Sequence, residues 1–180
     1  MTKDKNYLTD PFHNSVAAIV KGIDRDVERG EDALMLGLGL VMLSSTFAPV
    51  APPSVLLPLV ALTFALSAGF ARINYHNMEK KLSNSMASLE QHEITKLRPI
   101  AAVFAEYPMP PLSDSFNPLK NLKRTWKSAL GGILINPFWM PIFYMMGMQI
   151  HEEKNLGILN RAVIGVEQKT MGQAASSRKA

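Results

Sequence analysis

Four histidines, His13, His76, His92 and His151, are the obvious candidates for metal or acid–base chemistry in this sequence. No two of them stand four residues apart, and the chain has no cysteine, so neither a zincin pair nor a thiolate site can be assembled from local spacing. "HEEK" at His151 lacks the second histidine that such a motif requires. "GLGL" at Gly37 lacks the later glycine of a phosphate-cradling loop and lies in an uncharged run. Met140, Met145, Met146 and Met148 could offer thioethers to copper(I), but packing by flexible side chains accounts for them more simply. No nucleophile, base and orienting group share a productive spacing. The sequence therefore predicts no catalytic residues, no cofactor, no metal and no enzyme activity.

The element that would have to position any site is unusual. From Ala33 to Ala71, 39 residues pass without an Asp, Glu, Lys, Arg or His. A soluble helix needs a polar face, whereas a bilayer span needs about 20 apolar residues. As one helix this run would be about 58 Å long, too long for a hydrocarbon core about 30 Å thick. Pro49, Pro52 and Pro53 resolve the mismatch, since proline removes a backbone donor and restricts the residue before it. They predict a turn at 48–54 in a transmembrane helical hairpin over 33–71. Its spans are 33–47, with Asp32 as cap, and 55–71, with Ser54 as cap. Nine apolar residues in the second span contribute roughly −3 to −5 kcal/mol to insertion. Ala61, Ala65 and Gly69 recur at four-residue intervals, and Gly37 lies on the first span. Small residues so placed let helix backbones approach closely in lipid. No span carries an ionisable residue, which argues against an ion-coupled pump.

A third uncharged stretch, 130–150, is long enough to cross. Asn136, Pro137 and Pro141 fall at its mid-depth, so it reads as a kinked span or as a re-entrant segment broken at Asn136-Pro137. Before it, Asn117 and Pro118 open a basic amphipathic helix over 119–129. There Lys120, Lys123, Arg124 and Lys127 lie mostly away from the face of Leu119, Leu122, Trp126 and Leu130. Such a helix fits the surface of an anionic leaflet. The patch is too small, and too poor in interleaved aromatics, for nucleic acid.

The remaining segments are polar with apolar stripes. Val16, Ile19, Val20, Ile23 and Val27 form one stripe of an amphipathic helix from about Pro11 in a cytoplasmic region 1–32, capped by Asp10 and expected to end or bend at Gly30. Tyr75, Met78, Leu82, Met86 and Leu89 continue the second span to about Lys96. A short helix with Pro99 near its start completes a cytoplasmic region, 72–107. Residues 108–118 read as a proline-rich linker. In 151–180, Leu156, Leu159, Val163 and Val166 offer a seam to a partner helix ahead of a disordered tail. Lys21, Arg25 and Arg29 precede the hairpin, and Arg72, Lys80 and Lys81 follow it. The positive-inside rule then places both ends in the cytoplasm and the turn outside, acids such as Glu31 and Asp32 counting little.

These readings together predict an all-α integral membrane protein, with the bacterial inner membrane as its location. They predict a non-catalytic structural or assembly subunit whose partners are lipid and other membrane subunits or further copies of itself, with a secretion or conjugation machine as one setting. A solute channel or transporter component, its path lined by the third segment, is the alternative.

Overall fold

The computed structural model describes residues 11–47, 49–115 and 117–177, and every regular element among them is helical. The order is α1 (Pro11–Phe47), α2 (Pro53–Ser88), α3 (Gln91–Glu106), α4 (Leu112–Ser115), α5 (Pro118–Ile135), a 3-10 turn (Pro137–Trp139) and α6 (Met140–Ser177). The expected caps Asp10 and the tail beyond 177 lie outside the described residues.

α1 and α2 are antiparallel neighbours. Gly37 meets Ser67, Gly30 meets Asn74, and Asp26 pairs with Lys81. α6 runs antiparallel to α1, with Gly37 beside Gln149 and Gly30 beside Leu156. α5 and α6 form a second hairpin, with Gly132 against Phe143 and Gly147 against Ser128. The two hairpin turns abut at one end, where Pro49, Ala51 and Pro53 share a cavity with Asn136, Phe138 and Trp139. α3 packs on the far half, its Phe104 ring 4.7 Å from that of Tyr75.

That far half holds the main core. Val16, Val20, Ile23, Val27 and Leu34 of α1 close on Tyr75, Met78 and Leu82 of α2, on Leu97, Ile100 and Phe104 of α3, and on Leu156, Leu159, Val163 and Val166 of α6. Each such side chain, fully buried, contributes about 1.5–3 kcal/mol. The N-terminal stripe and the C-terminal seam are thus each other's partners, and no second protein is needed to cover them. Toward the turns the core thins to two small clusters, Val41, Leu56, Val60 and Ile142, then Phe64, Ala68 and Met148.

Several sequence expectations change. Gly30 does not end α1. It is buried where α1 meets α6, and an added Cβ would stand 3.3 Å from Leu156, so the glycine serves close approach. Asp32 is accordingly mid-helix, and α2 starts at Pro53 behind Pro52 with no side-chain cap from Ser54. α2 stops at Ser88, short of Lys96, because Leu89 and Glu90 turn extended. Pro99 lies inside α3 on an exposed face, where water can take the carbonyl it leaves without a donor. Part of the proline-rich stretch is helical, as α4. The third apolar stretch is not one kinked span. It breaks at Asn136, and its two sides fold back as α5 and α6.

By length and composition, α2 is long and apolar enough to cross a membrane. The apolar part of α1 begins only after Glu31 and Asp32 and ends at Phe47, which is shorter than the usual span.

Candidate functional site

The most distinctive feature of the surface is where its large apolar side chains stand. In α1 the exposed ones run from Met35 to Phe47, and in α2 from Val55 to Ile73. In α5 and the second turn they include Trp126, Ile133, Leu134, Ile135 and Phe138. α3 contributes none among its described residues. The half of the bundle that holds both turns therefore carries an apolar girdle, while the half that holds α3 exposes only Ile164 and Met171 of α6 among its described large apolar side chains. Val50 and Leu134 are 86% and 85% exposed, which is the reverse of what water selects at a helix tip.

Inside the girdle the helices meet through small and polar residues. Gly37 is the tightest point, since a Cβ there would overlap Ser67 of α2 and Gln149 of α6. Gln149 Nε2 donates to Ser67 Oγ at 2.5 Å, and Ser67 Oγ donates in turn to the Thr63 carbonyl at 2.9 Å. This satisfies a buried hydroxyl inside an otherwise apolar contact. Gly69 is buried with Leu112 of α4 at ordinary contact distance. Ala61 and Ala65 are half-exposed, and the face of α2 turned to the other helices carries Leu56, Val60, Phe64, Ser67, Ala68 and Ala71. Gly132 and Gly147, which the sequence reading left without a role, let α5 and α6 close on each other.

At the lower edge of the girdle sits a buried ion pair. Arg72 Nη2 donates to Glu152 Oε1, both residues being at most 5% exposed, and Arg72 Nη1 donates to the Pro111 carbonyl at 3.2 Å. Arg72 is thus an internal tie between α2, α6 and the Pro108–Pro111 stretch, not the surface base that the orientation rule assumed. A second tie lies deeper in the polar half. Asp26, 5% exposed, pairs with Lys81 and Arg29, and its carbonyl accepts from Asn74 Nδ2. The pairs join residues 80 and 55 positions apart, and nothing local in the sequence announces them.

The turns are built with few free donors. Pro49, Pro52 and Pro53 have no N–H, Val50 and Ala51 donate to the Phe47 carbonyl, and Val55 and Leu56 donate to the Pro52 carbonyl. In the second turn, Asn136 donates its N–H to the Gly132 carbonyl, and Pro137 has none to give. Phe138 N–H donates to Asn136 Oδ1 at 3.0 Å, and Trp139 N–H to the Asn136 carbonyl at 2.9 Å. Asn136 therefore works as an acceptor capping the turn. Pro141 is half-buried in the first turn of α6, which tolerates a missing donor.

On α5, Lys123, Trp126 and Lys127 are exposed, with Lys127 Nζ 5.9 Å from the Trp126 ring. The side chains of Lys120 and Arg124 lie outside the described residues. Among the described residues no cluster of His, Asp or Glu is arranged to hold a metal ion. Met148 is buried on Phe64 and Ala68, and Met145 and Met146 pack beside it on apolar neighbours. His76 and His92 are exposed beside Glu79, Glu90 and Glu93.

In the polar half, burial and then Glu153, Asp32, Glu28 and Asp24 raise the Glu31 carboxyl above its ordinary value. Burial, with Glu79 behind it, raises the Tyr75 phenol, whose hydroxyl donates to the Tyr107 carbonyl at 2.7 Å.

The girdle, the ties beneath it and the basic face of α5 define a helical bundle with one apolar and one polar half. Comparison with family models, curated proteins and solved structures finds no match to this chain.

Proposed function

We propose that this chain is a non-catalytic, membrane-embedded structural subunit that holds a cytoplasmic helical domain against an anionic leaflet for assembly with other membrane proteins. The observation that carries this reading is the concentration of exposed large apolar side chains in the half holding both turns, with Ile164 and Met171 of α6 as exceptions in the other half. Lipid is the solvent that favours such a surface, at roughly 0.3–0.6 kcal/mol for each Leu, Ile, Phe or Val near the membrane centre. Lys123, Lys127 and Trp126 stand on α5 where it leads into that surface. Lysines so placed suit anionic headgroups, and an exposed tryptophan suits the headgroup level.

The assembly role rests on what the rest of the molecule offers. Two buried ion pairs tie helices together, Arg72 to Glu152 and Asp26 to Lys81, which suits a rigid body that presents surfaces. A solute path along the third segment is less well supported, because Ile133, Leu134, Ile135 and Phe138 turn apolar side chains outward there.

The test is purification in mild detergent after crosslinking in membranes of the cells that naturally make the protein. The proposal predicts a complex larger than the single chain, made with other subunits or with further copies. A protein that runs as a monomer and catalyses flux alone in liposomes contradicts it.

A further inference from the structure

The membrane reading leaves open how far the hairpins reach, and the turns answer this. We infer that both hairpins enter the bilayer from one face and end inside it, so that neither turn meets water on the opposite side. This rests on the proposed membrane embedding and replaces the outside turn that flanking charges suggested.

The first argument is chemical. A turn in water has no need to satisfy its own donors, whereas a backbone N–H in hydrocarbon without a partner costs several kcal/mol. Every N–H between Asn136 and Met140 is either absent or donated within the turn. Between Pro49 and Leu56 only Ser54 stands outside the same accounting. In the turn between α2 and α3, at the other end of the bundle, the backbone N–H groups of Glu90, Gln91 and His92 donate to no backbone carbonyl among the described residues.

The second argument is depth. From Lys127 to Ile135, α5 rises about 12 Å. The α5–α6 turn abuts the α1–α2 turn across a cavity, so the two tips lie near one level. If those tips stood at the far surface of a core about 30 Å thick, Lys127 would be held about 12 Å inside it, close to the centre. A lysine there costs about 2.5–3.5 kcal/mol, and Lys123 lies only one helical turn further down. Entry from one face, with the tips short of the far headgroups, lessens both costs and brings Lys123, Trp126 and Lys127 toward the headgroups of the near leaflet, where their charge and amphipathic ring match an anionic surface. The exposed apolar side chains of α2 extend about 27 Å from Val55 to Ile73, so the lowest of them then stand at that same headgroup level.

The chain has no cysteine, which makes the test clean. Single-cysteine variants Val50→Cys, Phe138→Cys and Lys80→Cys are made in the full chain. Each is exposed to a membrane-impermeant maleimide in right-side-out and inverted vesicles from expressing cells, and again after detergent. The expected result is labelling of Lys80→Cys from one face only, and of the two turn variants from neither face until detergent is added. Labelling of Val50→Cys or Phe138→Cys from either face of intact vesicles overturns the inference. Failure of the membrane reading itself looks different, because the protein would then wash free of the vesicles and all three sites would react in buffer.

Discussion

Replacing Gly37 by alanine puts one methyl group into the tightest contact between α1, α2 and α6. The new carbon would overlap Ser67 Oγ and Cβ and Gln149 Nε2. Ser67 Cβ is tied to the α2 backbone, so α1 must shift or the polar contact must open. Overpacking of this kind costs about 1–3 kcal/mol. Breaking the 2.5 Å bond from Gln149 to Ser67 leaves buried polar groups without partners, for about 1–3 kcal/mol more. Against these, alanine recovers up to about 1 kcal/mol of helix propensity. The net loss is about 1–6 kcal/mol, or about 2–24 °C in melting temperature for a chain of this length. Gly39 is the control, since nothing lies within 4 Å of a Cβ placed there, and Gly39→Ala should melt at or slightly above the parent. Adding Ser67→Gly to Gly37→Ala reopens the space, so the double variant should lose less than the sum of the singles. Thermal melting in a mild detergent, followed by circular dichroism, reads the parent, the three single variants and the double variant. If Gly37→Ala melts with Gly39→Ala, the three-helix contact is not as described.

Further outcomes follow from the ties and the charged surfaces. Arg72→Met or Glu152→Met alone leaves a buried charge without its partner and should cost about 3–5 kcal/mol, while the double variant should recover most of it. The same melts check this. The Glu31 carboxyl has a raised pKa in the folded state, so the folded chain holds its proton more tightly than the unfolded one. Stability must then fall as pH rises from the ordinary carboxylate range through the raised value. Glu31→Gln should raise the melting temperature at neutral pH, with the gain shrinking on acidification. Replacing Lys123 and Lys127 by alanine should weaken association of the purified protein with phosphatidylglycerol vesicles by about 1 kcal/mol per lysine. It should leave partition into neutral phosphatidylcholine vesicles nearly unchanged, as co-flotation would show.

The helical class is legible in the sequence because its apolar residues recur at three and four positions and no run alternates. The proline rules are local, so Pro49, Pro52 and Pro53 mark a break wherever the chain goes, and they lie between α1 and α2. What periodicity cannot supply is the identity of a stripe's partner. Val16 to Val27 reads as a stripe whose cover the sequence does not name, and Leu156 to Val166 as a seam for a partner helix, and they bury against one another. Glycine carries the same ambiguity. At Gly30 it reads as a breaker, yet α6 approaches there and the helix continues. Ala61 and Ala65 have the spacing of a seam, but the crossing of α1, α2 and α6 is centred on Gly37, Ser67 and Gln149. Arg72 followed an apolar run and so resembled a flanking base. Its pairing with Glu152, 80 positions further along the chain, depends on the fold of everything between them.

The claim on which the rest depends is that the girdle of Met35 to Ile73 and Ile133 to Phe138 faces lipid. Alkaline carbonate extraction of membranes from cells making the full chain, followed by flotation of the pellet on a density gradient, addresses it directly. The protein should stay with the floating membranes. Quantitative release into the supernatant as a folded, dispersed monomer would contradict the account.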